Sequence, residues 1–290
     1  MLTATRIVPT ATRGALSIQT RNMATLKEIQ LRLKAISNTA KITKSMKMIA
    51  STKLNRAQKN MNNARAYGQT SIDIYKQSEV ESPADARQVI VTVSSDRGLC
   101  GGIHSSVSKA TKRIIAQQPE STVVVLGDKA KPQIARTNRD SIAMSFNQLG
   151  KSNPTFTEAC AIVDTMRASE VDFDTAQIIY NKFTSAIAYE ADSIPVYSEE
   201  VIKTGAKFAE YELEEDEVLQ NLKEFTFANA LYWGLAEGHA SEMSAKMTAM
   251  ENATRNASEV IDKLTLAYNR GRQAVITNEL IDIVTGASAL

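Results

Sequence analysis

The chain has 290 residues, of which 43% are hydrophobic and 23% are charged, and its formal net charge at pH 7 is +2. This composition provides enough apolar material for one large core or two modest ones. The chain has two cysteines, Cys100 and Cys160, which are far apart in sequence, and two histidines, His104 and His239. These numbers and spacings exclude a zinc centre and a disulfide framework. No run of about 18 apolar residues occurs, so we expect no membrane-spanning helix.

The N-terminal segment has the composition of a targeting peptide. It contains Arg6, Arg13 and Arg21 among many Ser, Thr and Ala residues, and the first acidic residue is Glu28. Basic, hydroxyl-rich segments without acids are typical of mitochondrial transit peptides. We therefore predict that residues 1–23 are a transit peptide and take no part in the fold; an untargeted basic tail is the alternative.

A long segment without proline follows the transit peptide. Its apolar residues recur at alternating steps of three and four, which indicates a helix of about 50 residues from Leu26 to Lys76, within a region 24–80. The register passes through Thr43 and Lys47, where a second stripe of Ile42, Met46 and Ile49 begins on a neighbouring face. The seam itself comprises Ile29, Leu33, Ile36, Ala40, Ala50, Leu54, Ala57, Met61 and Ala64.

The middle of the chain, residues 85–205, contains most of the prolines and alternates between strand and helix patterns. Such alternation predicts a doubly wound, largely parallel sheet with helices on both faces. The predicted strands are Gln88–Ser94, Thr122–Leu126, Ser141–Phe146, Ala176–Phe183 and Ile194–Ser198, and the predicted helices are Ser105–Gln117, Lys129–Thr137 and Phe156–Ala168.

A second long helix is predicted within residues 210–290, from about Asp216 to Val284. An acidic run from Glu210 to Glu217 precedes it and suits a solvated loop and a helix start. Each long helix has a narrow apolar seam that a small domain cannot cover, so we predict an antiparallel coiled coil between them. The seam of this second helix comprises Met243, Met247, Met250, Thr254, Ala257, Ile261, Leu264 and Tyr268.

Two glycine-containing segments partly resemble phosphate-binding loops. The glycines of SSDRGLCGG do not follow the GxGxxG spacing, and the GKS at Gly150 lacks the earlier loop glycine because Ser145 stands there. Cys100 and His104 are close in sequence, but no acid completes a nucleophilic site. The sequence therefore predicts no catalytic residue, no cofactor-binding residue and no metal ligand.

Charge along the first helix is strongly one-sided. Ten basic residues lie between Ala24 and Ile72, against Glu28 alone. A solvated helix face usually mixes signs, so this imbalance indicates an acidic partner. The small net charge and the absence of aromatic residues before Tyr67 favour an acidic protein surface over nucleic acid.

Three segments resemble the gamma subunits of rotary ATP synthases. They are Ala24–Ser51, the motif SDRGLCGG at Ser95–Gly102, and ITNELIDIVTGASA at Ile276–Ala289, in which Thr277, Glu279, Asp282, Gly286 and Ala287 match the family signature. The resemblance implies the non-catalytic rotor of a central stalk, peripheral to the matrix side of the mitochondrial inner membrane. It implies coupling of proton-driven rotation to conformational changes in the catalytic subunits.

The same resemblance implies partners and contact residues. The partners are alpha and beta subunits of a catalytic hexamer, small delta and epsilon stalk subunits, and a membrane c-ring, with no nucleic acid and no cofactor. The residues expected to contact the beta subunits are Lys44, Met46, Lys47, Ile49, Arg97, Cys100, Asn269, Arg270, Arg272, Gln273, Thr277 and Glu279.

Two other functional classes stay open from the residues alone. A nucleotide-dependent enzyme with a coiled-coil appendage predicts that the middle domain binds a dinucleotide by itself. A nucleic-acid-binding coiled coil predicts duplex affinity that falls steeply as salt rises.

Overall fold

The structure, a computed structural model, describes residues 25–80, 83, 86–169, 171–211 and 217–289. The predicted transit peptide, residues 1–23, and residues 212–216 of the acidic run lie outside these ranges. The chain divides into two compact units: residues 38–258, called the larger unit, and residues up to 37 together with 259 onwards, called the smaller unit.

The described elements follow the predicted order. Both long helices are present and begin and end within four residues of the expected positions. The helices are α1 Leu26–Gln77, α2 Ile103–Gln117, α3 Lys131–Ala135, α4 Phe156–Ala168, α5 Glu199–Lys203 and α6 Glu217–Ser288, with a 3₁₀ turn at Phe208–Glu210. The strands are β1 Gln88–Val93, β2 Thr122–Leu126, β3 Ile142–Phe146, β4 Thr175–Phe183 and β5 Tyr189–Tyr197.

The five strands form one sheet in the order β3-β2-β1-β4-β5. β1 pairs in parallel with β2 and β4, β2 pairs in parallel with β3, and only β5 runs antiparallel, against β4. The predicted fold class is confirmed. β5 begins at Tyr189, five residues before the expected Ile194, because Glu190, Asp192 and Ser193 hide the strand pattern at an edge whose outer face meets solvent.

Alternate residues of the sheet face two separate hydrophobic clusters. One face packs against α2 and α3, through buried contacts that include Ile90, Val125 and Ile134. The other face packs against α4 and also against α1 and α6, which the sequence had suggested only as partners of each other. The long-helix residues in this second core include Ile72, Tyr75, Leu219, Phe227, Ala228, Ala230, Leu231 and Leu235.

Within the larger unit, α1 and α6 run antiparallel. The Tyr75 hydroxyl donates to Thr226 Oγ1 at 2.9 Å, and the Thr254 hydroxyl donates to Thr43 Oγ1 at 2.8 Å. Between these points most of the predicted seam is buried, together with Ala240 one turn before it, whereas Lys47 and Met247 of the seam are half-buried. The buried residues are Thr43, Ala50, Leu54, Ala57, Met61 and Ala64 on α1, and Ala240, Met243 and Met250 on α6.

Within the smaller unit, the two chain segments also pack together. A Cβ added to Gly271 would lie 3.0 Å from Leu26 Cδ2, so the α6 backbone passes close to the start of α1. Residues of the predicted seams are half-buried here, whereas most of their neighbours are exposed. They are Ile29, Leu33 and Ile36 on α1, and Ile261, Leu264 and Tyr268 on α6.

Candidate partner-contact residues

The first group of predicted contact residues lies on α1, in the larger unit. Lys44 and Ile49 are exposed, and Met46 is half-buried. Lys47 instead forms an ion pair with Glu251 on α6, with 2.9 Å between Lys47 Nζ and Glu251 Oε1. Lys44 and Ile49 therefore present free side chains to solvent, while Lys47 already has a partner within the chain.

The turn from β1 into α2 carries the second group. The backbone of this turn passes close to Gly127, which follows β2. A Cβ at Gly127, whose φ is +94°, would lie 2.6 Å from the Cα of Ser95, so a larger residue would not fit there. Leu99 has a φ of +64°, uncommon for a residue with a side chain, and is 63% exposed. Arg97 is exposed beside it, and its Nε donates to the Gly150 carbonyl at 3.3 Å. The turn thus presents a cationic and an apolar side chain together.

Cys100 lies beneath this turn and is only 2% exposed. Its Sγ is 3.1 Å from His104 Nε2, and Ser94 Oγ is 2.8 Å from His104 Nδ1. Burial raises the pKa of the Cys100 thiol to about 11 and lowers the pKa of His104. Both groups are therefore neutral near pH 7, so the cluster lacks the thiolate that a cysteine nucleophile requires. The expected contact between Cys100 and a beta subunit stays a prediction.

The third group lies on α6, in the smaller unit, and all of its residues are exposed. It comprises Asn269, Arg270, Arg272, Gln273, Thr277 and Glu279. Large apolar side chains on the same helix end are also exposed, although monomeric proteins rarely expose contiguous apolar patches of this kind. These residues are Val275, Ile276, Leu280, Ile281, Ile283 and Val284, and Ile283 and Val284 are each 66% exposed.

Sequence reasoning missed two exposed apolar residues beside the predicted contacts. Met48 is 66% exposed on α1, and Leu99 is exposed on the turn. Met48 lies off both predicted stripes, so its apolar character outside the seam was an available signal. Leu99 had no such signal, because its exposure depends on the left-handed backbone of the turn.

Comparison with known proteins identifies the family. The family model described as ATP synthase matches residues 25–290. The chain is 46% identical over 269 residues to the mitochondrial ATP synthase subunit gamma of Pichia angusta, covering 92% of this chain and 100% of the relative. It is 45% identical over 272 residues to the mitochondrial F(1) complex subunit gamma of Rattus norvegicus, with the same coverage. The chain belongs to the ATP synthase gamma subunit family.

Chains in solved structures of mitochondrial ATP synthases share the fold. A chain from the central stalk and c-ring structure of the Tetrahymena thermophila mitochondrial ATP synthase matches with a TM-score of 0.63 and 27% identity, covering 73% of this chain and 99% of that chain. A chain of the Euglena gracilis mitochondrial ATP synthase matches with a TM-score of 0.77 and 21% identity, covering 91% and 94%. The expected membership of the gamma subunit family and of the mitochondrial ATP synthase is confirmed.

Two further observations on the gamma subunit concern metals and membranes. In the ranges that the structure describes, no three His, Cys, Asp or Glu side chains are grouped so that they could hold a metal ion. Across the same ranges, no helix combines the length and the apolar character needed to cross a bilayer.

Proposed function

We propose that this gamma subunit is the central-stalk rotor of a mitochondrial ATP synthase and has no catalytic site of its own. Rotation of a proton-driven membrane ring turns the chain. The helix pair of α1 and α6 then moves each catalytic beta subunit in turn through its conformational states, as a switch driven by contacts at an interface. The alpha, beta, delta and epsilon subunits and the c-ring are its proposed partners.

The exposed apolar end of α6 is the observation that carries this proposal. An ordered helix that leaves Ile276, Leu280 and Ile283 in solvent is incomplete as a monomer, because about 25 cal/mol per Å² of apolar surface favours burying them. A ring of alpha and beta subunits around the helix would bury this surface. Few charges follow Glu279, so the enclosed end would turn without strong ionic contacts.

The exposed cations of α1 and of the β1–α2 turn supply the second argument. Lys44, Lys53 and Arg97 are exposed, and no carboxylate in the described ranges lies within ion-pair distance of them. Acidic side chains on the moving parts of the beta subunits would complement these cations. Such complementary charges mainly give specificity and register rather than raw affinity.

Ser94, Cys100 and His104 form the cluster that most resembles a nucleophilic site, and the raised pKa of Cys100 keeps its thiol protonated. His104 Nε2 lies 2.9 Å from the Arg97 carbonyl oxygen, which can only accept a hydrogen bond, so this nitrogen carries the proton and does not serve as a base for the Cys100 thiol. A thiol-dependent catalytic role for this cluster is therefore not favoured, whereas the nucleotide-dependent enzyme is tested separately by nucleotide binding to the isolated chain.

The test uses charge reversal within the assembled complex. The complex is purified through a tag on this chain, its subunits are identified by mass spectrometry, and ATP hydrolysis and proton-driven ATP synthesis are measured. We expect Lys44→Glu, Arg97→Glu and Arg272→Glu to lower both rates at least threefold while the complex stays assembled. Lys47 is left unchanged because its ion pair with Glu251 would confound the result.

The matched control is Lys109→Glu, an exposed lysine on α2 outside the predicted contacts. Its rates are expected to stay within about 20% of the unaltered complex, since surface charges away from contacts contribute little. Unchanged synthesis and hydrolysis in all three test variants would refute the contact model. Nucleotide binding or ATPase activity by the isolated chain would refute the non-catalytic assignment.

A further inference from the structure

A partly open cavity lies at the carboxyl edge of the sheet, in the larger unit. Its volume is about 190 Å³, and its walls come from the ends of β1 and β4, the loop after β3 and one side of α6. In the order β3-β2-β1-β4-β5, β2 and β3 lie on one side of β1 and β4 lies on its other side, so the direction in which strands are added to the sheet switches between β1 and the parallel β4. Open α/β sheets bind ligands outside the carboxyl ends of their strands at such a switch point.

The walls of this cavity contain polar atoms without partners. Asn181, His239 and Glu242 are 4%, 9% and 3% exposed. In the described ranges, five buried side-chain polar atoms have no hydrogen-bond partner. Three of them belong to these residues: Asn181 Oδ1, His239 Nδ1 and Glu242 Oε1. A buried polar atom without a hydrogen-bond partner destabilises the fold, so three around one cavity indicate an occupant that pairs with them.

The chemistry of these atoms defines what that occupant must offer. Asn181 Nδ2 already donates to the Ile103 carbonyl at 3.1 Å, which leaves the amide oxygen as an acceptor. Glu242 is bonded through its carboxyl group to Ser95, and its other oxygen remains an acceptor when ionised. The occupant must therefore carry hydrogen-bond donors such as hydroxyl or amino groups.

A second, cationic cleft adjoins the cavity and shares Gly150, Lys151, Ser152 and His239 with it. Its volume is about 340 Å³, and no acidic residue lines it. None of its cations forms an ion pair with a described carboxylate. The cationic residues that line it are Lys53, Arg56, Arg97, Lys151 and Lys246.

We propose that the gamma subunit binds a small anionic metabolite that also carries hydrogen-bond donors, with its anionic group in the cationic cleft and its donors in the adjoining cavity. A phosphorylated polyol is the simplest member of this class. The cavity is smaller than the roughly 300–1,000 Å³ of drug-sized ligand pockets, so a dinucleotide does not fit. A bound molecule would join α6 to the loop after β3 and to the β1–α2 turn.

The experiment uses the full chain and three probes: glycerol 3-phosphate, inorganic phosphate and glycerol. Affinity is measured by titration calorimetry and by the rise in the unfolding temperature, which depends on ligand concentration when the ligand binds the folded state. We expect glycerol 3-phosphate to bind at least tenfold more tightly than either fragment, because only the ester reaches both the cations and the orphaned acceptors.

Variants separate the two parts of the site. The double variant Lys151→Gln and Lys246→Gln, and separately Glu242→Gln, should each weaken glycerol 3-phosphate binding about tenfold, as expected for losing charge-assisted hydrogen bonds. The matched controls Lys109→Gln on α2 and Glu251→Gln on α6 lie outside both cavities and should change affinity less than twofold.

Three results would overturn the proposal. They are no binding of glycerol 3-phosphate to the full chain, phosphate binding as tight as that of the ester, and unchanged affinity in Glu242→Gln. The second result would reduce the site to a surface for anions, and the third would leave the inner cavity filled by water alone. Lys53 and Arg97 are also proposed contacts of the beta subunits, so in the assembled complex the ligand and the beta subunits would compete for these two cations. Because the readout is binding to the isolated chain rather than ATP synthesis, failure here does not bear on the rotor function.

Discussion

Arg65 on α1 and Glu237 on α6 form an ion pair whose carboxylate is completely buried. Arg65 Nε lies 2.5 Å from Glu237 Oε1, and the Glu237 side chain is 0% exposed. The carboxylate also accepts from Trp233 Nε1 at 3.0 Å and from the backbone N–H of Phe183 at 2.8 Å. One side chain therefore links both long helices to β4, at the level where they pack on the sheet.

Removing the cation of this pair should destabilise the fold strongly. We expect Arg65→Met to lower the free energy of unfolding by about 3 kcal/mol, because a buried carboxylate would lose its countercharge. Lys182→Met is the control: it breaks an ion pair with Asp192 in which both side chains are 40–50% exposed, and it should cost less than about 1 kcal/mol. Urea unfolding measures both, and equal losses would contradict the assigned role of Glu237.

The surroundings of two helix glycines predict opposite effects of alanine substitution on stability. A Cβ at Gly68 would lie 2.8 Å from Trp233 Cε3 and 2.9 Å from Trp233 Cβ, whereas a Cβ at Gly238 would lie 3.5 Å from Val93 Cγ1. We expect Gly68→Ala to destabilise the chain by about 1–3 kcal/mol through overpacking. Gly238→Ala should instead stabilise it by up to about 1 kcal/mol through helix propensity. Thermal unfolding shows whether each variant is more or less stable than the unaltered chain. Stabilisation by Gly68→Ala would refute the close contact between Gly68 and Trp233.

Histidine burial should make the chain sensitive to acid. Desolvation, reinforced by Lys53, lowers the pKa of His239 to about 4 from its ordinary value of 6.5. The unfolded chain therefore binds a proton between these values that the folded chain does not, so stability falls as pH drops from about 6.5 to 4. The loss is on the order of 3 kcal/mol.

The measurement is urea unfolding at several pH values, with His239→Asn as the comparison. The variant should lose less stability over the same pH window. Burial raises the pKa of Glu242, so its own contribution is present at low pH and declines as pH rises, opposite in sign to that of His239. Both chains keep Glu242, so its contribution cancels in the comparison. If the free energy of unfolding changed equally with pH in both chains, His239 would not be the group that makes the protein sensitive to acid.

Cysteine accessibility gives a prediction that needs no substitution. Cys100 is buried with a raised pKa, whereas Cys160 on α4 is only half-buried. We expect iodoacetamide at pH 8 to modify Cys160 at least tenfold faster than Cys100 in the folded chain, since the thiolate is the reacting species. Denaturant should abolish the difference. Peptide mass spectrometry follows both sites, and rapid native labelling of Cys100 would contradict its placement beneath the turn.

Much of the architecture was predictable because its signals are local. The steps of three and four from Ile29 to Ala64 depend on helix geometry alone, and the structure buries or half-buries that seam. The apolar runs at Gln88–Val93 and Thr122–Leu126 likewise identify buried parallel strands. The twelve contact residues expected from family resemblance stay predictions, since their partners lie outside this chain.

The sequence by itself determined the two long helices, the alternation that builds the parallel sheet and the one-sided charge of α1, since each follows from neighbouring residues. Tertiary structure alone decided that α1 and α6 also complete the sheet core, that Cys100 is buried, and that Asn181, His239 and Glu242 line one cavity. The physical reason is distance along the chain: Arg65 and Glu237 are 172 positions apart. Which distant side chains meet depends on how the elements pack, and no local pattern records that.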